Sequence, residues 1–253
     1  MKAAADLTLP AFYRLVAFDR LGSTNDEAKR LARAGAAAGT LVWAGEQTAG
    51  RGRRGRQWVS PPGNLYLSLI ARPGGPVAAA AQLGFVAGLG LGDAIRELAG
   101  PALPLAYKWP NDVLARGRKV AGILLESETG GGGTVDFVVI GVGVNILAAP
   151  ENVEFPATSL AAEGCGNISA SEFLATFVDR YELWAARWRS EGFVPIRAAW
   201  LERAAGVGDA IRVRLDRATL HGRFVDLDAD GALLLDAADG RRRIAAGDIF
   251  PVA

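Results

Sequence analysis

Gly45-Glu-Gln-Thr-Ala-Gly-Arg-Gly-Arg-Arg-Gly-Arg-Gln-Trp58 sets four arginines, Arg51, Arg53, Arg54 and Arg56, on a glycine-rich backbone. Gly50, Gly52 and Gly55 match G-x-G-x-x-G, a pattern used by dinucleotide-binding βαβ units. In such a unit the glycines open a helix, and an acidic residue about 20 positions on holds a ribose. Here Ser60-Pro61-Pro62-Gly63 follows almost at once and forbids a helix. No Asp or Glu occurs from Gln47 to Gly92. The dinucleotide reading fails, and the stretch reads as a cationic loop. Guanidinium groups bind phosphate and carboxylate through fixed pairs of donors, and glycine lets backbone N–H groups come close to an anion. With like charges crowded and no acid nearby in sequence, the loop is expected to be mobile until an anion arrives. A solvated basic loop and an RNA-contacting arginine segment are the plainer alternatives.

Working outward, Leu21 to Glu27 reads as a loop entering a helix, with Thr24 and Glu27 at capping-box spacing and Gly35 as the stop. Leu41–Ala44 and Asn64–Ala71 are strand candidates. Val77–Ala99 keeps helical spacing, and its many glycines imply tight packing against a sheet. Strands are expected at Leu105–Trp109, Lys119–Glu126 and Val135–Asn145, with Gly130–Gly133 as a hairpin tip. Ser169 and Glu172 form a capping-box pattern before a helix whose apolar face runs from Leu174 to Trp188, and a shorter helix covers Val194–Arg203. After Gly206 the chain changes to short strands with Asp230-Gly231 and Asp239-Gly240 turns, a small β-meander suggestive of an SH3-like barrel.

The chain has 253 residues, half of them hydrophobic, and a net charge of +1, a globular profile with no global pull toward nucleic acid or anionic membrane. One cysteine, Cys165, excludes an internal disulfide, and one histidine, His221, argues against a histidine-rich metal site or a Ser-His-Asp triad. No run of 18 uninterrupted apolar residues occurs, so a soluble cytoplasmic protein without a membrane span is expected.

Three further stretches concentrate polar groups. Ser23-Thr24-Asn25 has the composition of a helix cap, and offers neutral donors and acceptors. Lys108-Trp-Pro-Asn111-Asp112 reads as a strand end and turn, with a carboxylate able to face a hard cation. Lys119 opens an apolar strand, where a lysine is ordinarily a solvated end.

Taken in order, Ser23-Thr24-Asn25, the arginine loop, Lys108 to Asp112, Arg118-Lys119-Val-Ala-Gly-Ile-Leu-Leu-Glu126 and Ile140-Gly-Val-Gly-Val-Asn145 resemble the biotin protein ligase family. Asp209, Gly222, Gly231-Ala-Leu-Leu-Leu and Gly247-Asp-Ile resemble that family's C-terminal domain. The resemblance implies an α+β fold: a mixed β-sheet packed with helices, like a class II synthetase, over residues 1–204, and a small SH3-like β-barrel over 205–253. It implies an ATP-dependent ligase that forms biotinyl-5′-AMP, with Mg²⁺ accompanying ATP, and passes biotin to a lysine of a biotin carboxyl carrier protein domain. By the same resemblance Lys119 and Arg53 are catalytic, and biotin lies against Ser23, Thr24, Asn25, Gln47, Arg51, Gly52, Arg53, Lys119 and Gly122. The nucleotide falls to Arg51, Arg54, Arg56, Trp58, Lys108, Asn111 and Asn145, and the metal to Asp112. Too few residues precede Ser23 for the DNA-binding module of some relatives, so no DNA binding is expected. An exposed sheet edge leaves a homodimer open. Lipoate or octanoyl transfer on the same scaffold, nucleic-acid binding through the arginines, and biotin sensing without turnover are the competing readings.

Overall fold

The computed structural model describes residues 7–131, 134–151 and 153–252. Its first sheet has seven strands: β1 (Arg14–Leu21), β2 (Thr40–Gln47), β3 (Leu65–Ala71), β4 (Leu105–Lys108), β5 (Asp112–Ala115), β6 (Arg118–Thr129) and β7 (Val135–Val144). Their spatial order is β1-β2-β3-β7-β6-β5-β4. Only β1 and β2 run parallel, joined by helix α1 (Thr24–Arg33); the other neighbours are antiparallel, so the sheet is mixed as expected. Helices α2 (Val77–Ala99), α3 (Ala170–Glu191) and α4 (Phe193–Leu201) cover one face and enclose the main core.

Strand alternation sorts each side chain to a face. Leu65, Leu67 and Leu69 of β3, Ile123 of β6, and Val138, Ile140 and Val142 of β7 enter the core beneath α2. Phe137 and Val139 of β7 meet Ala28 and Ala32 of α1 on the opposite face. On that opposite face β6 and β7 carry Gly122, Gly141 and Gly143, with Gly122 paired to Gly143. Three absent side chains leave a hollow floor beside the start of α1.

Helix α2 is 23 residues long and apolar enough to cross a membrane by composition, yet it is mostly buried. Its glycines serve packing on two sides: a Cβ on Gly84 would lie 3.3 Å from Leu125 of β6, and one on Gly90 would lie 3.0 Å from the Tyr181 backbone of α3. The capping box at Ser169 and Glu172 forms. The one expected at Thr24 and Glu27 does not. Ser23 is the N-cap and makes no side-chain cap bond, which leaves its hydroxyl outside the helix's own hydrogen bonding. Gly132 and Gly133 of the anticipated hairpin tip lie outside the described residues.

The second sheet comprises β8 (Ala210–Arg214), β9 (Thr219–Leu227), β10 (Leu233–Ala237), β11 (Gly240–Ile244) and β12 (Asp248–Pro251), in the antiparallel order β11-β10-β9-β8-β12. This small C-terminal sheet suits an SH3-like unit, but the expected barrel is not closed: β11 and β12 are its two edges and do not pair. β12 is instead turned to the first sheet. Trp109 Nε1 donates to Gly231 O at 3.0 Å, Gln82 Nε2 donates to Ala229 O at 3.3 Å, and Arg197 pairs with Asp226, so the two sheets are joined at several points.

Candidate functional site

A cavity of about 270 Å³ opens above the glycine floor. Trp58 lies over that floor: a Cβ on Gly143 would meet its ring at 2.5 Å and displace it, and one on Gly122 would crowd it at 3.0 Å. The Trp58 indole N–H is buried with no hydrogen-bond partner. Lys119 Nζ sits 5.1 Å from the Trp58 ring centre and 2.6 Å from Asp112 Oδ1. Asp112 also faces Lys108 Nζ at 3.8 Å. Lys108 is buried between aromatic rings, 4.2 Å from the centre of Phe155 and 5.4 Å from that of Phe250. Burial pushes the Lys108 ammonium below the usual lysine range, against the pull of Asp112.

The arginine loop has a single turn of 3-10 helix at Arg53–Gly55, with Arg54 in the left-handed region at φ 55°. The loop arginines are paired, although no acid lies nearby in sequence. Its counterions come from distant sequence. Arg51 pairs with Asp26 and lies 3.4 Å from Glu126. Arg53 donates to Asn111 Oδ1 at 3.2 Å and to Gly247 O at 3.1 Å. Asp248 of β12 receives Arg56, Arg54 at 3.3 Å and Arg214 at 3.3 Å, with Arg53 3.7 Å away. Burial raises the Asp248 carboxyl, but hydrogen bonds and charge from these arginines outweigh it and hold the carboxyl below its ordinary range. Arg53 is pushed below the usual guanidinium range by burial, which Asp248 and Asp112 partly oppose.

The other end of the cavity is neutral. Thr24 N–H donates to Gln47 Oε1 at 2.8 Å, and Gln47 Nε2 donates to Ser60 Oγ at 3.0 Å. Asn25 and Ser68 lie beside Thr24 in a buried group.

Of the residues singled out from sequence, Ser23, Thr24, Asn25, Gln47, Arg51, Gly52, Arg53, Arg56, Trp58, Lys108, Asn111, Asp112, Lys119, Gly122 and Asn145 all line this cavity. Arg54 does not. Its guanidinium turns to Asp216 at 3.0 Å and to the Arg214 carbonyl at 3.3 Å on the C-terminal sheet. Asn145 lines the wall, but its side-chain N–H donates to Thr158 O at 3.1 Å. Sequence reading passed over Glu154, Phe155, Asp248 and Phe250, which also line the cavity. Only Asp248 carried a signal, inside the Gly247-Asp-Ile stretch. Arg241, Arg242 and Arg243 form no free basic patch, because Asp236, Asp239, Asp228 and Asp230 pair with them.

Fold and site together define an α+β protein whose cavity is lined by cations at one end and neutral polar groups at the other. Residues 17–145 match the Biotin/lipoate A/B protein ligase family, and residues 207–250 match the Biotin protein ligase C terminal domain. The chain belongs to the biotin/lipoate protein ligase family, in its biotin protein ligase branch. It is 47% identical over 236 residues to a biotin–[acetyl-CoA-carboxylase] ligase of Paracoccus denitrificans, covering 91% of this chain and 98% of that relative. It is 36% identical over 242 residues to the bifunctional ligase/repressor BirA of Bacillus subtilis, covering 93% of this chain and 73% of the relative. The structure of the Aquifex aeolicus biotin protein ligase in complex with biotin and ATP aligns with a TM-score of 0.78 at 28% identity, over 94% of this chain and 97% of that one.

Proposed function

We propose that this chain activates biotin with ATP to biotinyl-5′-AMP and transfers the biotinyl group to a lysine of a biotin carboxyl carrier protein domain, that of acetyl-CoA carboxylase or a similar enzyme. The observation that carries the reading is the sharing of one cavity by Lys119, Arg51, Arg53, Arg56 and the neutral group of Ser23, Thr24 and Gln47. Its ligands are those named for the Aquifex aeolicus structure, and its overall reaction is that named for the Paracoccus denitrificans relative. Residues 1–204 serve as the catalytic domain and 205–253 as the C-terminal domain, in a cytoplasmic enzyme.

In the first half-reaction a biotin carboxylate oxygen bonds to the α-phosphorus of ATP, and the bond to the leaving pyrophosphate breaks. Both reactants are anions, so their approach requires fixed positive charge. Lys119 would stand between carboxylate and α-phosphate, with Arg51 and Arg53 closing over them, and preorganised charge of this kind acts strongly where water is excluded. In the second half-reaction the carrier lysine amine attacks the biotinyl carbonyl, the C–O bond to AMP breaks, and the amine loses a proton. Neither step needs a protein nucleophile.

Asp112, paired here with Lys119 and Lys108, is the carboxylate that would hold Mg²⁺, since Asp248 and Glu154 are taken up by arginines. Among the described residues no group of three acidic, histidine or cysteine side chains could enclose a metal. One carboxylate suits Mg²⁺, which keeps several waters and shares substrate phosphates; bound there, it would neutralise phosphate charge.

The test is incubation with biotin, ATP, Mg²⁺ and a carrier domain, read by intact mass. Addition of one biotinyl group to the carrier lysine is expected. Loading of lipoate with no loading of biotin would overturn the reading.

A further inference from the structure

Lys108 is held at the cavity by rings rather than by oxygen. The side chain is buried, and its ammonium lies 4.2 Å from the centre of the Phe155 ring and 5.4 Å from that of Phe250. The Asp112 carboxylate stands 3.8 Å away, beyond hydrogen-bond length. A buried ammonium without a close oxygen is costly. The face of an aromatic ring offsets part of that cost, because the ring quadrupole puts negative charge there. An ammonium has three donors, and among the described residues none of these is spent on a protein oxygen. Lys108, Phe155 and Phe250 all line the cavity, so phosphate oxygens entering it can take those donors.

The two rings arrive from separate parts of the fold. Phe155 belongs to the segment after β7. Directly beyond it, Lys119 N–H donates to Pro156 O at 2.8 Å and Thr158 N–H donates to Lys119 O at 2.9 Å, which lays the segment against the start of β6. Phe250 belongs to β12, where it is paired with Arg212 of β8. Its ring also meets Arg212 at 4.8 Å and Arg214 at 4.9 Å. A ring shared among three cations holds each of them less. Phe155 is closer to Lys108 and, among the described residues, shares its face with no arginine, so it is the stronger half of the pair. Without the rings the ammonium would close on Asp112 Oδ2 and spend its charge there.

We propose that Phe155 and Phe250 form a two-ring seat that holds the Lys108 ammonium off Asp112 and keeps it available to a polyphosphate. The C-terminal sheet then supplies part of the nucleotide site through Phe250. Both phenylalanines are positioning residues, acting through Lys108 without touching the nucleotide. The inference rests on the proposed use of ATP and adds to it two side chains that carried no signal in the sequence.

The test replaces Phe155, in the full chain, with mono-, di- and trifluorophenylalanine, which drain the ring face while nearly keeping its shape. Calorimetry gives the Kd for inorganic tripolyphosphate, a probe with no base, and pyrophosphate release gives KM for ATP and for biotin. The Kd and the KM for ATP should rise together with each fluorine, to about 10-fold with three, while KM for biotin and the melting temperature hold. Phe250→Leu should raise both by about 3-fold, since its ring is shared. In a Lys108→Met background the fluorine series should be flat. A merely structural role would lower the melting temperature and would not follow the fluorine count. A flat series with Lys108 in place overturns the seat, as does a slope that persists without Lys108. A rise in KM for ATP alone would put the Phe155 ring against the base and overturn it too. Should Lys108→Met fail to fold, the comparison of tripolyphosphate with ATP decides alone. A wild type that binds no tripolyphosphate overturns the seat, whereas one that binds it but releases no pyrophosphate from ATP and biotin overturns the reaction assignment instead.

Discussion

Lys119 shows what position does to an ordinary side chain. At the start of a strand a lysine is normally solvated, yet here its ammonium is shared between the Asp112 carboxylate and the Trp58 ring at the cavity wall. Replacing it leaves the strand's apolar contacts intact, so Lys119→Ala should keep the melting temperature close to wild type. Adenylate formation, followed by pyrophosphate release, should fall about 100- to 1,000-fold, the usual cost of removing one preorganised charge. Near-normal release would take Lys119 out of the reaction. Lys108 gives a pH prediction. Its folded-state pKa is lowered from 10.5, chiefly by burial, so the folded protein loses this charge at a lower pH than an ordinary lysine would. The charged form is the one disfavoured by folding, and any step that needs it fails early on the alkaline side. The kcat/KM profile should therefore turn down below 10.5, and Lys108→Arg should push that limb to higher pH. An alkaline limb that does not move in Lys108→Arg would assign it to another group.

The arginine loop is the element where sequence and structure diverge most. Its charge and glycines were legible, because both are local properties of one stretch. The partners of its arginines were not, because Asp248 stands about 190 residues away and reaches the loop through the docking of β12. β12 itself is four residues long and was missed, as was β1, an edge strand with no clear alternation in Arg14–Leu21. The glycine floor could be quoted from sequence but not assembled, since only the β6–β7 register sets Gly122 against Gly143. Asp248 behaves as a resident anion among the arginines. Its folded carboxyl is held low, so its stabilising contribution is complete above the unfolded value near 3.8 and is lost as pH falls through the lower folded value. Asp248→Asn should cost about 1–3 kcal/mol at neutral pH and should flatten acid unfolding in that window. A variant whose acid unfolding curve overlays wild type would deny Asp248 that role. Arg53→Gly acts on the same loop from the other side: it removes the bonds to Asn111 and Gly247 and should let biotinyl-5′-AMP escape, seen as biotin on lysines of unrelated proteins. Continued retention of the intermediate would count against the loop as a cover.

Across the whole molecule, three segments far apart in sequence meet at the cavity mouth, and a line of charges joins them. Glu154, in the segment after β7, receives both Arg214 guanidinium nitrogens at 2.6 and 2.8 Å. Arg214, on β8, also reaches Asp248, which receives Arg56 of the loop. Isolated surface ion pairs contribute little, but a two-pronged arginine contact within a network is the geometry in which they do contribute. Because Glu154 and Arg214 belong to different sheets' surroundings, their pairing holds the C-terminal sheet over the cavity rather than stiffening either part alone. Glu154→Arg should therefore shorten the lifetime of the bound adenylate several-fold while leaving its rate of formation nearly intact. Arg214→Glu should do so more strongly, since it also sets a second carboxylate beside Asp248. The double exchange restores the outer pair but not the Arg214–Asp248 contact, so it should recover part of the lifetime lost in each single variant. The measurement is adenylate remaining after rapid desalting, with formation followed separately by pyrophosphate release. Additive losses in the double exchange would mean the two side chains act independently, with the sheets held by Trp109, Gln82, Arg197 and the loop arginines on Asp248.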